Sequence, residues 1–436
     1  MIEVLLAIFA ATLVGLLIVQ AIAPGLDDFT RIGAALLTGC GFLALLLFFL
    51  SVAGVPWSQF VMAVVLLAAL LVCWRSRSRL GSAATDRVRR FVWIDGVILL
   101  LIIGHAIFAT WSRMYEWDWF GIWGLKARTF FDAGGLDWHF IRTGPTHPDY
   151  PLLVPLLVDI PSLLRGVWED RFVGLMYTAL SVGFLMIARG LLADEFESDW
   201  IGSAATMAIA CPALNLWIGL GEGPVMAYGC AGLLLVRRGL KSSAPSVIEL
   251  GAVLLGLGAW CKNEGMALMG MAIVALLVVS WRSLRRMWPG VAIAGIWVAT
   301  RLLLHLQTDF MQGDMLGRIW FRLHDLPRFF RLLYVFAPDL RWFFVAAILT
   351  PIVFAARAWK HERFLTITLA LQAFLLAVQA LATRADMQAH IAFAWNRLPH
   401  QIAPALGFLA LVLLIPEVLG ARSAIPSSTR SAIGSA

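Results

Sequence analysis

Charged side chains are scarce in this 436-residue chain: Asp, Glu, Lys and Arg together make up 14% of it, against 61% hydrophobic residues. A water-soluble globule is about one half apolar and about one quarter charged. With a mean hydropathy of +0.83, the composition excludes one. Cysteine is also sparse. Cys40, Cys73, Cys211, Cys230 and Cys261 lie in or at the ends of apolar runs, with no CxxC and no Cys/His spacing, so neither a disulfide framework nor a zinc site is implied. There is no DxD, no HExxH, no paired-histidine helix and no internal repeat. The short alternating segments of a membrane β-barrel are missing too. The first apolar run has no basic n-region and no small-residue cleavage site, so it reads as a retained span.

What is present is a series of apolar runs of roughly 17–25 residues, the length a helix needs to cross a hydrocarbon core of about 30 Å. The expected spans are 2–22, 34–55, 58–74, 91–110, 171–192, 200–219, 223–236, 246–261, 266–281, 287–306, 342–357, 364–382 and 401–417. The fold class is therefore an all-α polytopic membrane bundle of about 13 transmembrane helices. The 19 tryptophans, many near span ends, suit interfacial aromatic belts.

The formal net charge of +7 describes topology, not a nucleic-acid surface. The basic clusters RSRSRLGSAATDRVRR (75–90), RRGLK (237–241), RSLRR (282–286) and RAWKHER (357–363) fall on one side if spans alternate, and that side reads as cytoplasmic. The link 23–33, with Asp27 and Asp28 against Arg31, fits this scheme poorly. The opposite face then collects the loop 111–170, the segment 307–341, the loop 383–400 and the turns GLGEG (219–223) and CKNEG (261–265). Function is expected there, outside the cytoplasm. Residues 418–436 read as a disordered cytoplasmic tail.

The loop opens with WSRMYEWDWFGIWGLKARTFFDAGGLDWHFIRTGPTHPDYP (111–151), a polar and aromatic stretch between lipid-like segments. Residues 119–132 read as a surface helix, with Trp119, Trp123, Ala127 and Phe131 at helical spacing and Gly134 and Gly135 as its stop. Lys126 and Arg128 are two positions apart, about 200° around a helix, so only one faces a given ligand; Lys126 is preferred. The stretch 316–338 is a second interfacial piece, with arginines among aromatics. Asp95 and His105 are ionisable groups inside a span, and Asp95 is expected to reach water at the span's end.

WDWFGIWGLKAR, then HPDYPLLVPLL, then GEGP, then CKNEG, and finally NRLPHQIAP before the last span resemble, in this order and on one face, the GT-C superfamily. These are polytopic glycosyltransferases using polyprenyl-phosphate-linked sugars, and the likeness is to the bacterial lipopolysaccharide and lipid A branch. It covers roughly residues 110–415. Two departures stand out: residues 1–90 place extra spans of unassigned role before the aspartate loop, and Glu222 stands where aspartate is more usual. The resemblance implies a catalytic membrane domain over 91–417. It also implies a bacterial cytoplasmic (inner) membrane protein with its active site facing the periplasm. The reaction implied is inverting transfer of a hexose or pentose to an envelope lipid, glycan or protein acceptor.

In that reaction a hydroxyl attacks the anomeric carbon and needs a carboxylate to take its proton. Asp118 matches the family's loop aspartate and takes this role, with Glu116 beside it; the same Asp118 would also make a good helix N-cap. Phosphate departure needs cations, here Lys262 and Arg397, then Lys126 and His400, although lysine and arginine at span ends also snorkel. His147, Asp149 and Tyr150 of HPDYP, Glu222, and Asn263 and Glu264 complete the substrate set. Asp149 suits a turn or helix cap as well, and Glu264 a pair with Lys262. Some members use a divalent cation, Mg2+ or Mn2+, and Asp118, Asp149 and Glu222 offer oxygen ligands. The rival class is a secondary transporter or lipid-linked glycan flippase, which would place polar groups near the bilayer midplane and often carry inverted repeats. A polysaccharide polymerase or ligase would carry its dominant loop late in the chain.

Overall fold

The computed structural model describes residues 1–75, 88–111, 116–214, 218–306 and 313–423, and among these there is no strand. The helices are α1 (Ile2–Ile22), α2 (Asp28–Val52), α3 (Gln59–Arg75), α4 (Trp93–Trp111), α5 (Gly124–Ala133), α6 (Trp138–Thr143) and α7 (Leu153–Arg165). They continue with α8 (Gly174–Phe196), α9 (Asp199–Ala213), α10 (Glu222–Lys241), α11 (Pro245–Ala259), α12 (Asn263–Ser280) and α13 (Trp288–Leu303). The last group is α14 (Met315–Leu323), α15 (Leu326–Val335), α16 (Arg341–Val353), α17 (Ala355–His361), α18 (Arg363–Ala382), α19 (Met387–Ala394) and α20 (Ala403–Ser423). Parts of the basic loop 75–90, the aspartate loop and the segment 307–341 lie outside the described residues, as do residues 424–436.

By length and composition, six stretches can cross a bilayer: α1, α2, α4, α8, α18 and the run Asn263–Leu303. A seventh is available if α16 and α17, bent by 80°, form one span. About 13 transmembrane helices were expected. Part of the difference is length, since several apolar runs fold as helices of 17 residues or fewer. α9 and α11 have 15 residues each, or about 22 Å at 1.5 Å per residue, against a core of about 30 Å. The expected tail also starts late, since α20 runs on to Ser423.

The run Asn263–Leu303 doubles back. Gly265 at the start of α12 abuts Gly258 at the end of α11, while Arg286, past the end of α12, pairs with Glu249 near the start of α11 at 2.7 Å. α13 then runs alongside α11, with Gly290 against Ala252 and the Ile293 carbonyl accepting from Trp260 Nε1. Close backbone approach depends on small residues: a Cβ at Gly39 on α2 would collide with the Ala11 carbonyl of α1.

The basic loops gather at one end of the bundle. Arg237 meets Glu362 at 2.5 Å and Glu195 at 2.9 Å. Asp194 is bridged by Arg89 and by Arg238. Asp95 does not reach water as expected. It is buried, paired with Arg189 at 3.0 Å and bonded by Ser203 at 2.6 Å. His105 likewise finds a buried partner in Thr178 at 2.9 Å.

Candidate functional site

The other end of α4, α10 and α11 carries the aspartate loop and the turns before α10 and α12. After Asp118 the chain makes one π-helical turn, Trp119–Trp123, and enters α5. Trp119, Trp123, Ala127 and Phe130 are buried and α5 packs against α7, so one face of the expected surface helix is packed into protein. It stops at Gly134 in the left-handed region, φ +65°, a conformation glycine adopts at little cost. On its exposed side Arg128 pairs with Asp132 at 2.6 Å. Lys126 points inward and is fully buried, donating to the carbonyls of His147 at 2.6 Å and Tyr150 at 3.3 Å. It pins the HPDYP turn to α5. Burial lowers its ammonium to about 7, against the opposing pull of Asp149.

Asp118 does not cap a helix with its side chain. Its carboxylate accepts from Arg397 Nη1 at 3.0 Å, across 279 positions of sequence. Arg397 Nε lies 3.6 Å from Glu222. Glu222 is bonded in turn by Lys262 Nζ at 2.7 Å, and Lys262 is 3.6 Å from Glu264. All five side chains are buried, so Lys262 and Arg397 are not snorkelling cations. Burial works against the charge on Lys262, yet Glu222 and Glu264 hold its ammonium above the ordinary range. The network contains three carboxylates and two cations. It couples four separate segments: the loop after α4, the turn before α10, the turn before α12, and the approach to α20.

Beside the network lies a cavity of about 1040 Å³. His147, Asp149, Tyr150, Asn263 and Glu264 line its polar side, while Met266, Leu375, Leu376 and Val378 belong to its apolar wall. Asp149 does not cap α7, whose N-cap position is Leu152; its Oδ2 accepts from Asn263 Nδ2 at 2.7 Å. Tyr150 stacks on His147 at 4.6 Å and on Trp123 at 5.5 Å, and Lys262 Nζ sits 5.8 Å above its ring.

Asp118, Glu222, Lys262 and Arg397 are not in the cavity wall; Glu264 and Tyr150 are where the two regions meet. His400 also lies apart, edge-on to Phe344 at 5.4 Å, and burial lowers its imidazole to about 4. Glu116 is half-buried, and its carbonyl accepts from the Trp119 N–H at 3.0 Å. Among the described residues, no group of three or more His, Cys, Asp or Glu side chains converges to hold a metal ion, since Arg397 and Lys262 stand between Asp118, Glu222 and Glu264.

Sequence reasoning missed Arg301, Gln372, Gln379, Arg384 and His390, all of which line the cavity. Arg301, Gln372 and Gln379 fall inside apolar runs and carried no motif; only the general rule that polar groups within spans are functional candidates pointed to them. No family model, curated protein or solved structure matches the chain. The class it defines is a multi-pass, all-helical membrane protein with a buried ion-pair network and an adjoining cavity at one end.

Proposed function

We propose that this protein is a membrane glycosyltransferase of GT-C type. In this reading it transfers a sugar from a polyprenyl-phosphate donor to an envelope acceptor on the extracytoplasmic face of a bacterial inner membrane. The observation that carries the reading is the network Asp118–Arg397–Glu222–Lys262–Glu264 beside a large cavity with an apolar wall. An apolar wall suits a prenyl chain, and buried carboxylates and cations suit displacement of a phosphate.

The acceptor hydroxyl attacks the anomeric carbon as its proton passes to Asp118. The new C–O bond forms, the bond to the phosphate oxygen breaks, and the phosphate leaves with that electron pair. Arg397 and Lys262 stabilise the charge collecting on it. Arg397 holds Asp118 in the resting state, so an arriving phosphate competes for the guanidinium and frees the carboxylate. Trp117 and Phe120, near Asp118 in the chain, are exposed and offer aromatic surface to an approaching acceptor. Lys126 acts here by positioning, through the HPDYP turn.

The test is reconstitution of the purified chain with a polyprenyl-phosphate hexose and an envelope lipid extract. Asp118→Asn is expected to lower transfer by about 10²–10⁴-fold. An undiminished rate removes the base assignment. Movement of the intact lipid-linked sugar across the bilayer, with no bond broken, replaces the enzyme by a flippase or transporter.

A further inference from the structure

α7 carries a carboxyl that the glycosyltransferase reading leaves without a role. Asp159 is 0% exposed, and both of its oxygens are buried without a hydrogen-bond partner. The helix is buried from Leu153 to Leu163, packed against α1, α2, α3 and α5. The charged groups on those elements do not neutralise Asp159. On α5, Arg128 pairs with Asp132 and Lys126 donates to the HPDYP carbonyls. On α2, Asp28 accepts from the N–H groups of Phe29 and Arg89, and Arg31 donates to the Leu26 carbonyl. Glu3 of α1 pairs with the N-terminal ammonium at 3.1 Å, and Arg75 of α3 is exposed. Arg165, on α7 itself, pairs with Glu169 at 3.0 Å. Burial, and then the like charge of Asp132, hold the Asp159 carboxyl well above the usual carboxylate range. An unpaired carboxylate enclosed by packed protein costs far more than the neutral acid, so the folded chain keeps the proton. A metal ion would need further ligands, and among the described residues no three His, Cys, Asp or Glu side chains converge; a proton needs none.

We infer that Asp159 is a proton-held latch: α7 stays packed while this acid is neutral and loosens when it ionises. The helix is built to yield at that point. Pro161 lies inside it and has no N–H to offer the Leu157 carbonyl, so the turn that holds Asp159 is one backbone bond short. The start of α7 is tied to the site. The Leu153 N–H donates to the Trp260 carbonyl at 2.9 Å, just before Lys262, and Asp149, just ahead of α7, accepts from Asn263 at 2.7 Å. Loosening of α7 therefore slackens both the HPDYP turn and the turn that carries Lys262. The N-terminal spans gain a task, since α1, α2 and α3 supply part of the enclosure that keeps Asp159 dry. An opened α7 ionises near the ordinary aspartate value of about 4, the packed one higher. The contribution of Asp159 to packing is therefore complete at acid pH and is lost as pH rises through the folded value.

The test is amide hydrogen exchange over residues 153–165 of the full chain in lipid nanodiscs. Wild type and Asp159→Asn are compared at each pH, so the intrinsic pH dependence of exchange cancels. Lys126, which titrates in the opposite sense, is common to both chains and cancels with it. Opening of wild-type α7 relative to the variant is expected to grow about tenfold per pH unit above about pH 5, until the folded carboxyl ionises. Exchange at 147–152 and 261–265 should rise in step. A ratio that stays constant with pH overturns the inference, and so does an α7 that opens while those two turns keep their protection. Should the variant fail to fold, the wild type alone decides. Labelled with carbon-13 aspartate, it should show a protonated-carboxyl infrared band at about pH 7, where an ordinary aspartate is ionised. Carboxylate bands alone would overturn the latch. None of these readouts uses transfer activity, so the latch and the glycosyltransferase reading stand or fall separately.

Discussion

Lys126 shows how one buried group sets a local geometry and a pH dependence. Its amine holds two carbonyls of the HPDYP turn, and burial lowers it from 10.5 to about 7. Between those values the unfolded chain binds more protons than the folded one, so this group's contribution to stability rises with pH across that window and is flat below it. Thermal unfolding of solubilised protein should show the gap between wild type and Lys126→Met widening in favour of the wild type from pH 7 to 10. A constant gap would mean the folded chain keeps this lysine charged. The same logic separates the two cations of the network from Lys126: they face carboxylates, and it faces carbonyls.

Among the elements, α14 is held to the site by its arginines. Arg322 donates to the carbonyls of Leu381, Thr383 and Ala385, and Arg318 to that of Ala382. These are carbonyls of the last turn of α18 and just beyond it, groups that a helix end leaves without intrahelical partners. Met315 on α14 and Ala382–Ala385 line the cavity together, so the clamp forms part of its wall. The outward side of α14 exposes Leu316, Trp320 and Phe321, as an interfacial helix does. Arg322→Ala is expected to release α14, seen as faster amide hydrogen exchange over residues 315–323 with exchange in α11 unchanged. Unaltered exchange in α14 would place its anchoring elsewhere.

Across the whole molecule, charge is sorted to two ends. One end carries the basic loops tied to Asp194, Glu195, Glu249 and Glu362; the other carries the network with Asp118. Glu362→Gln leaves the buried Arg237 with only Glu195, and should destabilise the fold by on the order of 3 kcal/mol, measured by thermal unfolding. Charge sorting also predicts sidedness. A cysteine placed at Trp117, in a cysteine-free background, should react with a membrane-impermeant reagent from outside intact spheroplasts. One placed at Arg238 should react only after lysis, and the reverse pattern would remove the periplasmic assignment.

The residues by themselves determined the helical membrane class, because an apolar excess of this size has no stable aqueous fold. They also determined the segregation of basic loops, because alternation of spans sets which loops share a side. The composition of the network was legible as short polar islands between apolar runs: Asp118, Glu222, Lys262, Glu264 and Arg397 stand out against their surroundings. Only the tertiary structure decided who pairs with whom. The Asp118–Arg397 contact joins segments 279 positions apart, and no local periodicity encodes a contact of that separation. It also decided that two of the apolar runs fold as helices of only 15 residues and that Asp95 is bridged by Arg189 where it was expected to be wet. Helix length depends on where each chain end is held, and side-chain direction on what packs around it. Both are properties of the assembled bundle.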